Sequence, residues 1–281
     1  MRVAYVDCFS GASGDMLLGA LLDAGLELDA LAAAVEHLGL EGYELQVERQ
    51  VRQGVRGSKF SVQEQGHDGP ARNLAAVRQI IGTSGLPEPV VANSLQVFQR
   101  LAEAEATVHG LSPEEVHFHE LSAVDTLVDV VGFCWALHHL EIEALYASPL
   151  PLGGGTIRTK HGLLPVPAPA TLALLAAVGA PIVPSEAKGE LVTPTGAALL
   201  CTLATFAQPA MTIQRVGYGF GSQEFPWPNV LRVWIGEALP QPHAPRGSMA
   251  VPAVHHHDHG EDHASAHDPG PEHAHGAGHH H

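Results

Sequence analysis

The apolar positions from Arg2 to Asp7 alternate and are rich in β-forming residues, which predicts a strand. Ser10-Gly-Ala-Ser-Gly-Asp15 then turns the chain, and Met16 to Gly25 has helical spacing that Gly25 stops. Strand, glycine turn and helix in that order open an α/β protein. Asp29 is placed to cap a second helix running to Gly39. Tyr43, Leu45 and Val47 alternate with Glu44, Gln46 and Glu48, and together with 57–65 they predict paired, partly exposed strands around Gly54. Leu74, Val77, Ile80 and Ile81 mark an amphipathic helix, and Val91, Leu95, Phe98 and Ala102 a longer one ending near His109-Gly110. Ser112-Pro-Glu-Glu115 and Ser122-Ala-Val-Asp125 both have capping-box form, the second opening a helix to about His139. Further strands are expected near 144–147, 212–217 and 230–236, with short helices at 170–178 and 196–206. The fold class is therefore α/β or α+β, a mixed sheet with flanking helices whose strand order the pattern does not disclose.

After Pro240 the pattern stops. Residues 241–281 are Pro, Gly, Ala, Asp, Glu and His with almost no apolar positions, the composition of a disordered tail. The chain thus divides into a folded region, 1–240, and a His-rich tail, 241–281, while a boundary near Gly66 to Pro70 or near Leu140 stays open. The tail holds 12 of the 20 histidines, so eight remain for the folded part.

Composition then excludes several classes. With 14 Lys and Arg against 30 Asp and Glu, and only three lysines, the chain has no basic stripe for a nucleic acid. Cys8, Cys134 and Cys201 are widely separated, which fits neither a disulfide framework nor a thiolate zinc site, and a reducing cytoplasm is expected. Asp7 interrupts the only place for a signal peptide. Prolines at 165, 167, 169, 181 and 184 break the longest uncharged stretch, so no membrane association is expected.

Four groups of residues carry candidate chemistry. In the turn after the first strand, Ser10, Gly11, Ser13 and Gly14 offer backbone N–H groups and a helix N-terminus to an anion, while Asp7 and Asp15 at its ends suit a metal ion or a hydroxyl. The plain alternative is a tight turn with Ser13 as N-cap. No lysine follows the glycines, so this is not a P-loop, and a nucleotide hydrolase built on it is disfavoured. His117 and His119 project to one side of an extended segment, next to Glu120, with Asp125 and Asp129 four apart on the following helix. Two imidazoles with nearby carboxylates suit nickel, zinc or manganese, and the alternative is a capping acid beside surface histidines.

The third group is Gly153, Gly154, Gly155, Arg158, Lys160 and His161, with a second glycine–lysine segment at 188–196 where Thr193 can cap and Pro194 open a helix carrying Thr195. Both can hold a phosphate or carboxylate, and both can be glycine-punctuated loops. Gly217-Tyr-Gly-Phe-Gly221 lacks dinucleotide-fingerprint spacing. The fourth group is the tail, where His255, His256, His257 and His259 are typical of imidazoles that bind nickel, copper or zinc loosely, as a reservoir or delivery arm.

Taken together, YVDCFSGASGDM at 5–16, VHFHELSAVDTLVDV at 116–130, HGLLPVPAPAT at 161–171, GELVTPTGAA at 189–198 and GYGFG followed by PNVLR to Arg232 resemble the LarC family over roughly residues 1–236. The resemblance implies nickel insertion into pyridinium-3,5-bisthiocarboxylic acid mononucleotide, forming one metal–carbon and two metal–sulfur bonds. The product would serve nickel-pincer-dependent enzymes such as lactate racemase. On residue chemistry, His117, His119, Glu120, Asp125 and Asp15 are assigned to the metal and the glycine segments with Arg158, Lys160 and Thr195 to the anion, with His161 or Asp7 as the base that takes the ring proton. Family members continue into a C-terminal domain associated with CTP and manganese, whereas this chain passes into the His-rich tail. A separately encoded partner is therefore expected, and a non-catalytic nickel chaperone or store is the rival reading.

Overall fold

The computed structural model describes residues 1–64, 72–116, 124–159 and 162–240. The chain opens with strand β1 (Arg2–Asp7), helices α1 (Gly14–Asp23) and α2 (Leu28–Glu36), and hairpin strands β2 (Tyr43–Arg52) and β3 (Val55–Glu64). Helices α3 (Leu74–Gly82), α4 (Glu88–His109) and α5 (Val124–His139) follow, then strands β4 (Ala144–Ala147), β5 (Leu150–Gly154), β6 (Thr156–Thr159) and β7 (Gly162–Pro165). Helix α6 (Pro169–Val178), β8 (Ile182–Lys188), α7 (Pro194–Leu203), β9 (Ala204–Phe206), β10 (Met211–Phe220) and β11 (Val230–Ala238) complete it.

Seven strands form one mixed sheet in the order β2-β3-β10-β11-β1-β4-β9. β1 pairs antiparallel with β11 and parallel with β4, and β10 pairs antiparallel with β11 and parallel with β3. It follows that β1, β3, β4 and β10 all point the same way, and their carboxyl ends meet the start of β11 along one edge. The open side of such an edge is where α/β sheets place ligands.

Helix α1 lies on β10, β3 and β11, α5 packs against α1, and α4 packs against α5, α6 and α7. Phe60, Phe98, Phe133 and Phe220 are fully buried in this core. Each stabilises the fold by about 1.5–3 kcal/mol through the apolar surface it withdraws from water. The GYGFG segment sits at the α1–β10 contact. Gly217 and Gly219 are two apart on one face of β10 and meet the carbonyls of Ala20 and Met16, four apart on α1. Two strand residues rise about 6.6 Å, and four helical residues about 6.0 Å. The two repeats match, so two glycines let a whole helix settle onto the strand.

Most predicted elements are present, with instructive differences. At the hairpin, Gln53 and Gly54 both take positive φ, the two-residue turn whose twist suits paired strands. Helix α2 starts one residue before Asp29, which lies in its first turn rather than at the cap. Glu115 Oε2 accepts from both the Ser112 N–H, at 3.0 Å, and the Ser112 hydroxyl, at 2.7 Å, which is half of a capping box, and the segment closes only one turn and opens no helix. The helix predicted over 196–206 runs from 194 to 203, because 204–206 pair with β4 as β9. Pairing there overrides the helical preference of Ala204. Strands β5 to β8 were not read from the sequence, since Pro151, Pro165 and Pro184 argue against strands. They occupy two-stranded sheets, where every strand is an edge and proline is tolerated.

Candidate functional site at the carboxyl edge of the sheet

The turn that follows β1 brings two distant glycine segments together. Ala12 forms a parallel bridge with Val192, its N–H donating to Leu191 O at 2.9 Å while its own carbonyl accepts from Thr193 N at 3.1 Å. Gly11 has φ near +99°, and a Cβ there would fall 1.9 Å from the Leu191 carbonyl oxygen. The Gly11 N–H donates to Cys8 O. These two N–H groups are therefore used inside the protein rather than offered to an anion. Ser13 stands at the N-cap position of α1, but its hydroxyl donates to Asp15 Oδ1 and leaves the helix N–H groups uncapped by it.

Thr193 does cap α7: its Oγ1 accepts from Gly196 N at 3.1 Å, and Pro194 opens the helix. Thr193→Ala is expected to cost about 1 kcal/mol. A urea titration should show a lower midpoint with an unchanged slope.

Carboxylates dominate the same edge. Asp15, in the first turn of α1, has Oδ2 at 3.9 Å from Lys59 Nζ, and Lys59 donates to Ser222 Oγ at 2.7 Å. Asp125 and Asp129 project from α5 as their spacing predicts. Asp125 Oδ1 accepts from the Thr126 N–H at 2.6 Å, and Glu64 at the end of β3 accepts from Val124 N at 3.1 Å. Asp129 is half-buried with its carboxyl against the backbone of Gly14, and its Oδ1, shielded from solvent, has no hydrogen-bond partner. Burial, then the charges of Asp15 and Asp125, pushes the Asp129 carboxyl well above the ordinary carboxylate range. Asp125 is raised as well, by burial first and by Glu64 and Asp15, against the Thr126 hydrogen bonds that lower it. Among the described residues no three His, Cys, Asp or Glu side chains converge as a metal-binding group.

The loop joining β10 to β11, residues 221–229, forms a further wall, of which the sequence motifs reach only Gly221, Pro228 and Asn229 at its ends. Gln53 donates to Phe225 O at 3.0 Å, Arg52 to Gly221 O at 2.7 Å, and Trp227 Nε1 to Ser10 Oγ at 3.1 Å. Between this loop, the β1–α1 turn and the approach to α7 lies a cleft of about 120 Å³, lined by Ser13, Asp15, Glu190, Thr193, Ser222 and Asn229 among others. Asn229 donates to Gln223 O at 2.9 Å, while its buried Oδ1 has no partner. The signals in the sequence for this wall are the ends of the GYGFG and PNVLR motifs and the polar composition between them.

The remaining predicted residues divide clearly. Asp7 pairs with Arg232, its register partner on β11. Gly153 lies against the Gly189 carbonyl and Gly154 O accepts from Gly189 N at 2.8 Å, whereas Gly155 and Arg158 are exposed at the base and in the first strand of the β6–β7 hairpin. Thr195 is buried in the first turn of α7. His117, His119, Glu120, Lys160, His161 and the tail histidines His255, His256, His257 and His259 lie outside the described residues. Cys8, Cys134 and Cys201 are buried free thiols, which burial pushes up to about 12, 12 and 11. None has the character of a nucleophile. No helix of the described residues is long and apolar enough to cross a membrane.

Fold and edge together define an α/β protein whose polar chemistry, mostly carboxylate, gathers at the carboxyl ends of parallel strands. Comparison with known sequences gives this class its family: the profile of the nickel insertion protein family matches residues 4–264, and the chain belongs to that family. A relative from Thermomicrobium roseum, provisionally named a nickel insertion protein, is 56% identical over 243 residues, 86% of this chain and 60% of that protein. A pyridinium-3,5-bisthiocarboxylic acid mononucleotide nickel insertion protein from Desulfitobacterium hafniense is 47% identical over 240 residues, 84% of this chain and 59% of its own length. The chain thus spans about three fifths of the length of these relatives. No solved structure matches it significantly.

Proposed function

We propose that this chain takes part in nickel insertion into pyridinium-3,5-bisthiocarboxylic acid mononucleotide, as a nickel chelatase of the lyase class in the cytoplasm. The observation that carries the proposal is the 47% identity to a relative named for that reaction. The carboxylates of Asp15 and Asp125 at one edge of the sheet are compatible with it, because hard oxygen ligands can join the imidazoles of His117 and His119 and the carboxylate of Glu120 around a divalent ion. The tail histidines would supply nickel to that group.

In the reaction, two thiocarboxylate sulfurs bind the incoming Ni²⁺ and the electron pair of a ring C–H bond becomes the nickel–carbon bond. The proton released must go to a base. Asp7 is engaged by Arg232, so His161 is assigned this role. CTP with manganese would be handled by a separate C-terminal partner. The cleft lining holds two carboxylates and no cation, which does not fit a triphosphate.

The test supplies purified protein with the mononucleotide and excess nickel, with and without the partner and manganese–CTP, and follows formation of the pincer nucleotide. Product from the chain alone marks a complete catalyst, and product only with the partner marks one part of a two-part enzyme. Asp125→Ala should lower the rate about tenfold or more, and removal of 241–281 should leave turnover intact when nickel is in excess. No product under either condition, with nickel uptake lost on removing the tail, would make the chain a metal store or chaperone instead.

A further inference from the structure

We infer that the turn between β1 and α1 carries a subsite for the pyridinium ring of the mononucleotide, with Phe9 as the residue on which the ring stacks and the Phe225–Trp227 pair as its wall. This rests on the substrate reading given above. The Gly11 N–H donates to Cys8 O at 3.0 Å, closing a four-residue turn with Phe9 and Ser10 at its tip. The Cys8 N–H donates to Ser148 Oγ at 3.0 Å, so the turn is fixed at its base. Phe9 is 53% exposed at that tip, whereas Phe60, Phe98, Phe133 and Phe220 are fully buried.

A single exposed phenylalanine is ordinary on a protein surface. This one has company. Loop 221–229 brings Phe225 and Trp227 to the same turn: their rings stack with centroids 5.5 Å apart and planes 12° apart, and Trp227 Nε1 donates at 3.1 Å to Ser10 Oγ, on the residue after Phe9. Both side chains keep part of their surface in solvent. Gln53, from the β2–β3 turn, holds the loop through Phe225 O at 3.0 Å. Three aromatic side chains are therefore placed at one anchored turn, the turn that leads into Asp15 at the carboxyl edge of the sheet.

Charge decides which aromatic ligand fits. The described side chains of this edge include the carboxylates of Asp7, Asp15, Glu64 and Asp125, and two cations, Arg232 and Lys59, each already paired with an aspartate. An aromatic face in a region of surplus negative charge favours a cationic ring over a neutral one of the same shape. Pyridinium is such a ring. Stacking also suits the reaction, because the two thiocarboxylates and the ring C–H between them lie in the plane of the ring. A ring held by its face leaves that edge open to the nickel of the proposed site.

The test compares two probes of one shape: 1-methylpyridinium-3,5-dicarboxylate and 5-methylbenzene-1,3-dicarboxylate, which lacks only the ring charge. Titration of each against the full, nickel-free chain, followed by NMR, reads the ratio of their affinities, in which the repulsion of their carboxylates cancels. The pyridinium should bind about tenfold tighter. Phe9→Leu should cut that ratio to about twofold, and Phe9→Tyr should keep it. Indole emission should fall as the pyridinium binds, since the ring accepts an electron from excited indole at contact, and Trp227→Phe should remove most of that quenching. Equal affinities of the two probes, no binding of either, a ratio undiminished in Phe9→Leu, or quenching unchanged in Trp227→Phe would each overturn the subsite. The mononucleotide is titrated alongside: its binding where the probes fail leaves the substrate reading standing without the subsite. A preference for the pyridinium probe with no binding of the mononucleotide would remove the substrate reading, and with it the assignment of this turn to that nucleotide.

Discussion

Replacing Gly219 with valine is expected to lower the unfolding free energy by about 3–5 kcal/mol, while Gly82→Ala leaves it unchanged or raises it by about 0.5 kcal/mol. A Cβ on Gly219 would fall 1.9 Å from the Met16 carbonyl oxygen and 2.7 Å from Ala20 N. Both contacts are backbone of α1, so no side chain can rotate away and the whole helix must lift. Lifting it also disturbs Asp23, which accepts from Tyr218 N at 3.0 Å and from Ser58 Oγ at 3.2 Å, and Asp15 at the other end. Gly82 sits at the end of α3 with nothing within 4 Å of its missing Cβ. Thermal unfolding of the two variants separates the effects: for a region of this size the valine variant should melt about 10 °C lower. A valine variant as stable as the alanine control would mean that α1 does not rest on β10 through this pair of glycines. The proposed nickel insertion should fall in parallel, since α1 carries Asp15, one of the carboxylates proposed to meet the metal.

The same segment shows what a sequence discloses and what it withholds. GYGFG was visible as glycines at a spacing of two, and its failure to match a nucleotide fingerprint was legible. What it does was not, because the partner positions Met16 and Ala20 lie about 200 residues earlier and only the strand order β10-β11-β1 brings them near. Local signals fared well: the alternation of β1, the turn at Gly54 and the Thr193-Pro194 helix start each depend on neighbours in the chain. Chemistry assembled across the fold fared less well. Asp125 and Asp129 were recognised as one helical face, yet the burial of Asp129 beneath Gly14 and its coupling to Asp15 come from tertiary packing. Loop 221–229 was read only at its ends, Gly221 and Pro228-Asn229, for the same reason: the polar residues between them line a cleft only opposite Glu190 and Thr193. Conversely, the glycines of the first turn read as an anion cradle, and the structure fills the side of Gly11 with the backbone of residue 191.

Asp129→Asn is expected to make the metal-free protein more stable at neutral pH and to lessen a decline in stability that the wild-type chain shows as pH rises from about 4. The sign follows from the proton inventory. An unfolded aspartate titrates near about 3.9, whereas burial and the neighbouring charges of Asp15 and Asp125 hold the native Asp129 carboxyl well above that. Between the two values the native state binds more protons than the unfolded state. Stability therefore falls with increasing pH across that window, with a slope of up to about 1.4 kcal/mol per pH unit for one group, and levels off above the native value. Asparagine has the same shape and no proton to lose, so the variant should gain on the wild type steadily through the window. Asp125 is shifted in the same direction and stays in both proteins, which leaves the variant a shallower decline rather than a flat profile. Urea unfolding in chelator at successive pH values reads the difference directly. Parallel curves, or a wild type that gains on the variant with rising pH, would show that the Asp129 carboxyl finds a donor which the folded chain does not reveal. An advantage for the variant would mean that the native sequence keeps a destabilising acid under the first turn of α1, between the two carboxylates that the proposed function assigns to nickel. A divalent cation beside Asp15 and Asp125 would lessen that repulsion, so such an arrangement gains from the presence of the metal what it loses in the stability of the metal-free fold.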